Sequence, residues 1–226
     1  MTFRVLRQRR RSNSLRLSAF SAVRFLMVIA RLIVVSLAFL AATPASAQLF
    51  QPWEPVITPS DRALLDVEPD RLATDAIAAG KADKPYGTTV PALLELVRAK
   101  PQALAEGDLM GDWRCRSIQV NELGIFAYPY FRCRVRTTGE GLFFEKLTGS
   151  QRTSGILYRR DGASFVLLGG ATVNDDPQRR YVGDTRASAD VLEHNRAGLV
   201  ARIGPKRLRM VFAGGSGRFE VYELAR

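Results

Sequence analysis

The segment EKLTGSQRTSG, residues 145–155, is the part of the sequence richest in side chains that could do chemistry. Two glycines bracket five polar residues in it. In a plain hairpin turn the hydroxyl groups would bond the nearby backbone, but glutamine and arginine are not turn-forming residues. We therefore predict a binding loop for an oxygen-rich ligand, with its donors at Ser150, Gln151 and Arg152.

A second polar feature is the triplet Arg-Cys-Arg, which occurs at 114–116 and again at 132–134. Arginine forks suit carboxylate and phosphate groups, so Arg132 and Arg134 are candidates for binding an anion. The other explanation is a solvated surface on which neighbouring carboxylates pair with the arginines. The carboxylates close enough in sequence for that role are Glu122, Glu140 and Glu145.

The two triplets contain both cysteines of the chain and predict a disulfide hairpin. With Cys115 directly opposite Cys133, the turn centres on Gly124, and like-charged arginines lie opposite each other, which destabilises a strand pair. The opposed pairs in this register are Arg114 with Arg134 and Arg116 with Arg132. Alternation places the apolar residues on the other face: Trp113, Cys115, Phe131, Cys133 and Val135.

The remaining residues argue against most classes of enzyme. The single histidine, His194, leaves little material for a catalytic triad or a histidine metal site, and we expect it in an exposed loop. The disulfide removes both thiol nucleophiles. We predict no catalytic residue, no metal and no cofactor. The alternative is an envelope hydrolase in which Glu145 acts as acid or base near Ser150.

The first 47 residues have the features of an export signal. Residues 1–31 contain eight arginines and no acidic residue, and the apolar run 32–42 precedes a small-x-small motif that ends at Ala47. This run is too short to span a bilayer, although a retained membrane anchor is the other reading. We predict cleavage after Ala47 and a periplasmic or secreted protein. A start at Met27 would give a leader of ordinary length.

Cleavage changes the charge of the protein. The net charge of +11 falls to +3 once the eight leader arginines are removed. A basic surface that would attract nucleic acid is therefore not expected. We predict no nucleic-acid partner and no stable membrane insertion after cleavage, and composition does not determine an oligomeric state.

Residues 48–107 carry the signals of two or three short helices. Thr58 is a suitable N-cap ahead of Pro59, a second helix begins near Pro69, and Pro101 ends a third with leucines at helical spacing. Helices this short cannot bury a core of their own. We expect them to pack on the part of the chain that follows.

Residues 108–226 consist of short strand patterns separated by turn residues. Eight or nine hairpin-connected strands predict an antiparallel barrel or sandwich. A barrel of about eight strands is either filled by side chains or holds one small ligand. The predicted strands are 113–120, 126–136, 141–147, 153–159, 163–169, 180–187, 198–203, 207–213 and 218–224.

Two resemblances add to this reading. The motif Gly111-Asp112-Trp113 is similar to the Gly-x-Trp signature of lipocalin-like barrels, in which a late basic residue packs over the tryptophan. Arg218 or Arg226 would take that role here. This favours a barrel over a sandwich.

The second resemblance covers most of the mature chain, beginning at Trp53. Both Arg-Cys-Arg triplets, in GDWRCR and YPYFRCRV, together with FFEKLTGSQRTSGILY, FVLLGG and FEVYEL, resemble the bacterial family known as domain of unknown function 4893. The resemblance implies an exported single domain. It implies no catalytic residue, because the family has no assigned activity.

The predicted protein is mainly β (α+β), with helices at 48–107 on a disulfide-linked barrel at 108–226. Its predicted function is a non-enzymatic binding or interaction module for a small anionic ligand, an envelope component or a protein partner. The hydrolase and a purely structural envelope protein are the alternatives. The side chains predicted to share one neighbourhood as the binding site are Arg132, Arg134, Glu145, Ser150, Gln151 and Arg152.

Overall fold

The computed structural model describes residues 52–66, 68–82 and 89–226. Polar and apolar residues alternate after Gly111, and this part of the described chain forms nine antiparallel strands. The strands are β1 (Gly111–Asn121), β2 (Gly124–Ala127), β3 (Phe131–Thr138), β4 (Gly141–Lys146), β5 (Gln151–Arg159), β6 (Ser164–Val173), β7 (Asn195–Gly204), β8 (Arg207–Ala213) and β9 (Phe219–Ala225). Apart from β2 and β3, strands that follow each other along the chain lie side by side, and the last strand pairs with the first, so the sheet closes into a barrel.

The strands β2 and β3 occupy one position in the barrel. Both strands pair with the edge of β1 that does not pair with β9. Strand β3 pairs with the first half of β1, and β2 pairs with the second half of β1. The strand predicted at 126–136 is therefore one strand broken at residues 128–130. Counted by position the barrel has eight strands, and the predicted fold class is confirmed.

The strand predicted at 180–187 is wrong. The connection between β6 and β7 contains only one helical turn, because β6 and β7 pair directly with each other and a closed barrel leaves no free edge for another strand. The segment crosses the outside of the barrel instead. Tyr181 packs there beside Ile57 and Leu65, and its hydroxyl donates a hydrogen bond to Asp61.

Within the described residues, five helices lie before or between the strands: α1 (Pro59–Ala63), α2 (Pro69–Ala82), α3 (Thr89–Arg98), α4 (Glu106–Leu109) and α5 (Ala189–Leu192). The Thr58 hydroxyl accepts a hydrogen bond from the Asp61 amide at 3.2 Å, which confirms the predicted N-cap of α1. Helices α2 and α3 bury their apolar faces against the outside of β1, β2, β8 and β9. No helix in the described ranges is long and apolar enough to cross a membrane.

The disulfide hairpin has a different register from the one predicted. Cys115 lies opposite Phe131, and Cys133 lies opposite Trp113, so the bridge joins diagonal neighbours whose α-carbons are 5.9 Å apart. The chain reverses earlier than predicted, in a two-residue turn between Asn121 and Gly124. The break at 128–130 then shifts β3 relative to β1. Both cysteines still face the core, as predicted, since a slip of two residues preserves the face.

The four arginines of the triplets face outward, but their partners differ from those predicted. Arg134 lies opposite Asp112, and its Nε donates to that carboxylate at 2.6 Å. Arg114 lies opposite Arg132, and its guanidinium lies over the Tyr130 ring, 5.1 Å from the centroid. The structure thus relieves the predicted repulsion with an aromatic ring and with carboxylates from other parts of the chain.

Glu223 of β9 is the main carboxylate of this outer surface. Arg116 and Arg207 each donate to it at 2.6 Å, and the Tyr130 hydroxyl donates at 2.9 Å. Burial alone would raise the pKa of Glu223, but hydrogen bonds from Tyr130 and the two arginines outweigh it and hold this pKa below its ordinary value. The carboxylate therefore stays ionised at neutral pH.

The barrel interior is apolar at the end where β1 begins, which we call the base. Trp113 lies at the base, and its indole Nε1 donates to the Leu109 carbonyl oxygen at 2.7 Å. The Arg226 guanidinium stacks over the Trp113 ring at 3.7 Å from the centroid. Of the two arginines suggested by the Gly-x-Trp motif, Arg226 takes this position, whereas Arg218 lies in the turn between β8 and β9.

Candidate functional site

The barrel interior becomes polar at the end opposite the base, which we call the mouth. Inward-facing positions on five of the strands carry hydroxyl, amide or charged side chains there. Their position near strand ends follows from the hairpin connections, because alternate strands begin or finish at the mouth. We call these residues the mouth cluster: Ser117, Gln119, Lys146, Gln151, Thr153, Arg196, Glu220 and Tyr222.

A cavity of about 210 Å³ opens among these side chains, and we call it the mouth cavity. Its volume lies below the range of about 300–1,000 Å³ that is usual for small-molecule sites, so it suits a ligand of few non-hydrogen atoms. Its wall includes Gln119, Gln151, Thr153, Arg196, Glu220 and Tyr222 from the mouth cluster. The connection from β6 to β7 adds Asp176, Arg179 and His194.

Glu220 and Arg196 form an ion pair inside the mouth. The Glu220 carboxylate also accepts hydrogen bonds from Ser117 and, at 3.3 Å, from Gln119, so its acceptor sites are occupied. The Arg196 guanidinium lies over the Phe212 ring, 4.0 Å from the centroid. Its Nε is buried and has no hydrogen-bond partner within the described part of the chain.

Two neutral pairs complete the wall of the cavity. The Gln119 amide nitrogen donates to the Gln151 amide oxygen at 2.9 Å, and the Thr153 and Tyr222 hydroxyls share a hydrogen bond of 3.2 Å across the barrel. Burial, reinforced by the negative charge of Glu220, raises the pKa of Tyr222 to about 12. The Tyr222 hydroxyl is therefore protonated and able to donate at any physiological pH.

Lys146 is the unusual member of the mouth cluster. Its side chain is only 6% exposed, and its ammonium lies over the rings of Phe131 and Tyr222, 4.6 and 5.4 Å from their centroids. Among the described residues the Lys146 ammonium donates no hydrogen bond and forms no ion pair with a carboxylate. Burial lowers the pKa of Lys146; the Arg196 charge lowers it further, and Glu220 opposes both. The fully buried side-chain nitrogens without a partner among the described residues are Arg196 Nε and Arg209 Nε, so Lys146 Nζ keeps some contact with solvent. Its partial desolvation is nevertheless unfavourable, because no carboxylate within the described residues pairs with it.

Two of the residues predicted from sequence reach the mouth cavity. Gln151 points inward and bonds to Gln119. Arg152 lies at the rim, where it donates to the Gly149 carbonyl oxygen and pairs with Asp175, each at 3.1 Å. The polar loop thus does deliver side chains to a cavity, although the guanidinium already has a carboxylate partner.

The other predicted residues lie elsewhere. Glu145 is on the outer wall, opposite Arg134, and accepts hydrogen bonds from Arg136 at 3.0 Å and Gln178 at 3.1 Å. Arg132 also faces outward, as the exposed residue opposite Arg114. Ser150 precedes β5, and within the described ranges Glu145 makes no contact with it that would pair an acid with a nucleophile. The barrel wall therefore separates the six predicted residues into an inner and an outer group.

Sequence reasoning missed Lys146, Arg196, Glu220 and Tyr222. For Lys146 a signal was available, since it follows Leu142 and Phe144 at the spacing of two that marks the inner face of β4. The pairing of Arg196 with Glu220 could not be read from the sequence. These residues lie on β7 and β9, on either side of β8, and they meet beside Phe212 of β8 only once the sheet has formed.

The mouth has more donors to offer than acceptors. The Arg179 guanidinium at the rim has no partner among the described residues, and Lys146 has none below the cavity, whereas Glu220 is already bonded to three side chains. Across residues 52–66, 68–82 and 89–226, no group of three or more histidine, cysteine, aspartate or glutamate side chains is placed to hold a metal ion. The arrangement is chemically suited to an oxygen-rich or anionic group.

Comparison with known proteins identifies the family of this chain. No curated protein sequence matches the chain. A solved structure of a redesigned β-barrel aligns at 10% identity and a TM-score of 0.36, over 56% of this chain and 98% of that one. The family model described as "Domain of unknown function (DUF4893)" matches residues 53–224, which confirms the resemblance found in the motifs. The chain therefore belongs to the DUF4893 family.

Proposed function

We propose that this protein binds a small anionic molecule in the mouth cavity, and that it acts as a binding module rather than as an enzyme. The observation that carries the proposal is the largely buried Lys146 side chain. Its ammonium has no carboxylate partner among the described residues and lies next to Tyr222, which lines the cavity, although Lys146 itself is not part of the cavity wall. A buried charge is normally paired, and the free energy lost by burying it is recovered when a counter-ion arrives. An anionic ligand would be that counter-ion.

The other groups at the mouth fit the same kind of ligand. Arg179 contributes a guanidinium at the rim that has no partner among residues 52–66, 68–82 and 89–226, and Gln119, Gln151 and Thr153 contribute neutral hydrogen-bonding groups to the wall. Glu220 is held in place by Arg196, so it adds less repulsion toward an anion than a free carboxylate would. The small volume favours a short carboxylate or a phosphate over a lipid or a sugar chain.

We expect Lys146→Met to weaken the binding of glycolate or inorganic phosphate by about tenfold or more, because a charge-assisted hydrogen bond contributes about 1.5–3 kcal/mol. The measurement is isothermal titration calorimetry on the mature protein. Lys206→Met is the matched control, since it makes the same chemical change at an exposed turn between β7 and β8.

The Lys146→Met protein should still fold, because methionine has a similar length and the variant no longer buries an unpaired charge. Its midpoint of thermal unfolding should equal or exceed that of the unmodified protein. Unchanged affinity in the Lys146→Met protein, or the absence of saturable binding of either anion to the unmodified protein, would show that the mouth cavity is not an anion site.

We also propose that the protein is exported and that residues 1–47, which lie outside the described residues, are removed. The leader pattern at 1–47 supports this, and so does the disulfide, since such bridges persist in oxidising compartments. We expect the protein recovered from the envelope fraction of its cells to begin at Gln48. Intact-mass and N-terminal peptide analysis checks this, and recovery of the protein with its leader still attached would refute the cleavage.

A further inference from the structure

We propose that Lys146 is a carbonyl-reactive amine, and that the ligand of the mouth cavity is a small oxo acid that it holds as an imine. This inference rests on the proposed function, because it concerns the same cavity and names the chemical class of its ligand. Three features of the structure lead to it: the position of the amine, the polarity around it and the hydroxyl pair beside it.

The position of the amine places it directly behind the cavity wall. Glu145 pairs with Ser154, so the next inward positions, Lys146 on β4 and Thr153 on β5, are neighbours. Thr153 and Tyr222 both line the mouth cavity, and the Lys146 amine lies 5.4 Å from the centre of the Tyr222 ring. The four-carbon stem of lysine is flexible enough to bring the amine from this position to a ligand.

The surroundings of Lys146 give it a larger fraction of neutral, nucleophilic amine than an exposed lysine has. A lysine becomes nucleophilic when it is desolvated or when another cation lies nearby. Both conditions hold here, since the side chain is buried between two aromatic rings and the Arg196 guanidinium belongs to the same cluster. The charge of Glu220 favours the protonated form and opposes these two effects, but within the described residues no carboxylate forms an ion pair with the ammonium. The lowered pKa of Lys146 agrees with this geometry.

The reaction needs no oxidant or reductant. The lone pair of the neutral amine attacks the carbonyl carbon, and a proton moves from nitrogen to oxygen to give a carbinolamine. The hydroxyl group then leaves as water together with the remaining proton on nitrogen, and the nitrogen lone pair forms the carbon–nitrogen double bond. The Thr153 and Tyr222 hydroxyls lie beside Lys146 and can hydrogen-bond the oxygen as it leaves. The carboxylate of the oxo acid would meet the amide groups of Gln119 and Gln151 and the Arg179 guanidinium at the rim.

The test uses glyoxylate, the smallest aldehyde that carries a carboxylate. The mature protein is incubated with glyoxylate and sodium cyanoborohydride near neutral pH, so that any imine is reduced to a stable amine, and peptide mapping locates the added carboxymethyl group. We expect Lys146 to be labelled on the order of tenfold faster than the exposed Lys100 and Lys206, because a desolvated lysine beside another cation is the more nucleophilic one. Lys206→Met should leave the labelling of Lys146 unchanged, and Lys146→Met should remove the fast reaction.

A parallel titration with glycolate, which has the carboxylate but no carbonyl group, separates the two proposals. If glycolate binds in the cavity but glyoxylate labels Lys146 no faster than the exposed lysines, the carbonyl chemistry is wrong and the binding function stands. If glycolate does not bind and no selective labelling occurs, both are wrong. Selective labelling of Lys146 that glycolate slows by competition supports both.

Discussion

Replacing Cys115 and Cys133 together with alanine is expected to lower the free energy of unfolding by about 2–4 kcal/mol. The bridge joins residues separated by 18 positions. It therefore closes a loop in the unfolded chain and lowers the conformational entropy of the unfolded state. Both cysteines are also 99% buried in the core cluster at the base, so the alanine variant loses apolar contacts in addition.

Urea unfolding of three samples separates these two contributions: the oxidised protein, the same protein reduced and kept reduced, and the double alanine variant. The oxidised and reduced samples differ only in the cross-link, whereas the reduced sample and the variant differ mainly in packing. Coincident unfolding curves for the oxidised and reduced samples would contradict the expectation. Free thiols in protein taken from an oxidising compartment would contradict the bridge itself.

Replacing Arg209 with methionine is expected to cost about 2–4 kcal/mol. Arg209 is on β8 and is 5% exposed, and its guanidinium donates to the Leu96 carbonyl oxygen at 2.8 Å, to that of Val97 and to that of Ala99 at 3.3 Å. The last carbonyls of a helix have no partner within the helix. Arg209 therefore supplies hydrogen bonds to the free carbonyl oxygens at the end of α3. It also places a positive charge at the negative end of the α3 helix dipole.

The expected cost is smaller than the sum of three lost hydrogen bonds. Burial lowers the pKa of Arg209, and its Nε has no partner among the described residues, so burying this arginine is itself unfavourable. Methionine keeps most of the length of the side chain and removes both effects. Methionine cannot donate a hydrogen bond to these carbonyl oxygens. A carbonyl group that is left buried without a donor costs about 1–3 kcal/mol.

Chemical denaturation measures the loss, and hydrogen exchange shows where it acts. We expect the amides of α3 to lose protection before those of the barrel strands, because Arg209 connects α3 to β8. Arg218→Met is the matched control: Arg218 is exposed in the turn between β8 and β9, and its replacement should change stability by no more than about 0.5 kcal/mol. An Arg209→Met protein as stable as that control would rule out the role of Arg209.

Much of the fold could be predicted because it depends on local chemistry. Thr58 and Pro59 begin α1 because a hydroxyl can accept from the first free amides and proline suits the first helical turn. The alternation around Cys115 and Cys133 placed the arginines outside and the apolar residues inside, and this survived the error in register because the slip was even. The Gly-x-Trp motif pointed to an arginine over Trp113, which is Arg226.

Other features depended on contacts between distant parts of the chain. The predicted strand at 180–187 has a suitable local pattern, but a strand also needs an unpaired edge, and β6 and β7 leave none. Arg116 was expected to pair with a carboxylate close in sequence. Its partner is Glu223, because β9 closes the barrel against β1. Neither outcome can be derived from the neighbours of these residues along the chain.

The candidate site shows the same division. The sequence by itself determined that the loop before β5 carries more donors than a turn requires, and Gln151 and Arg152 do reach a cavity. Only the tertiary structure decided which other side chains meet them there. Lys146, Arg196 and Glu220 come from β4, β7 and β9, and the curvature and closure of the barrel turn their strand ends toward one interior space. Alternation assigns each residue a face of its own strand, whereas the distance between two strands is a property of the closed sheet.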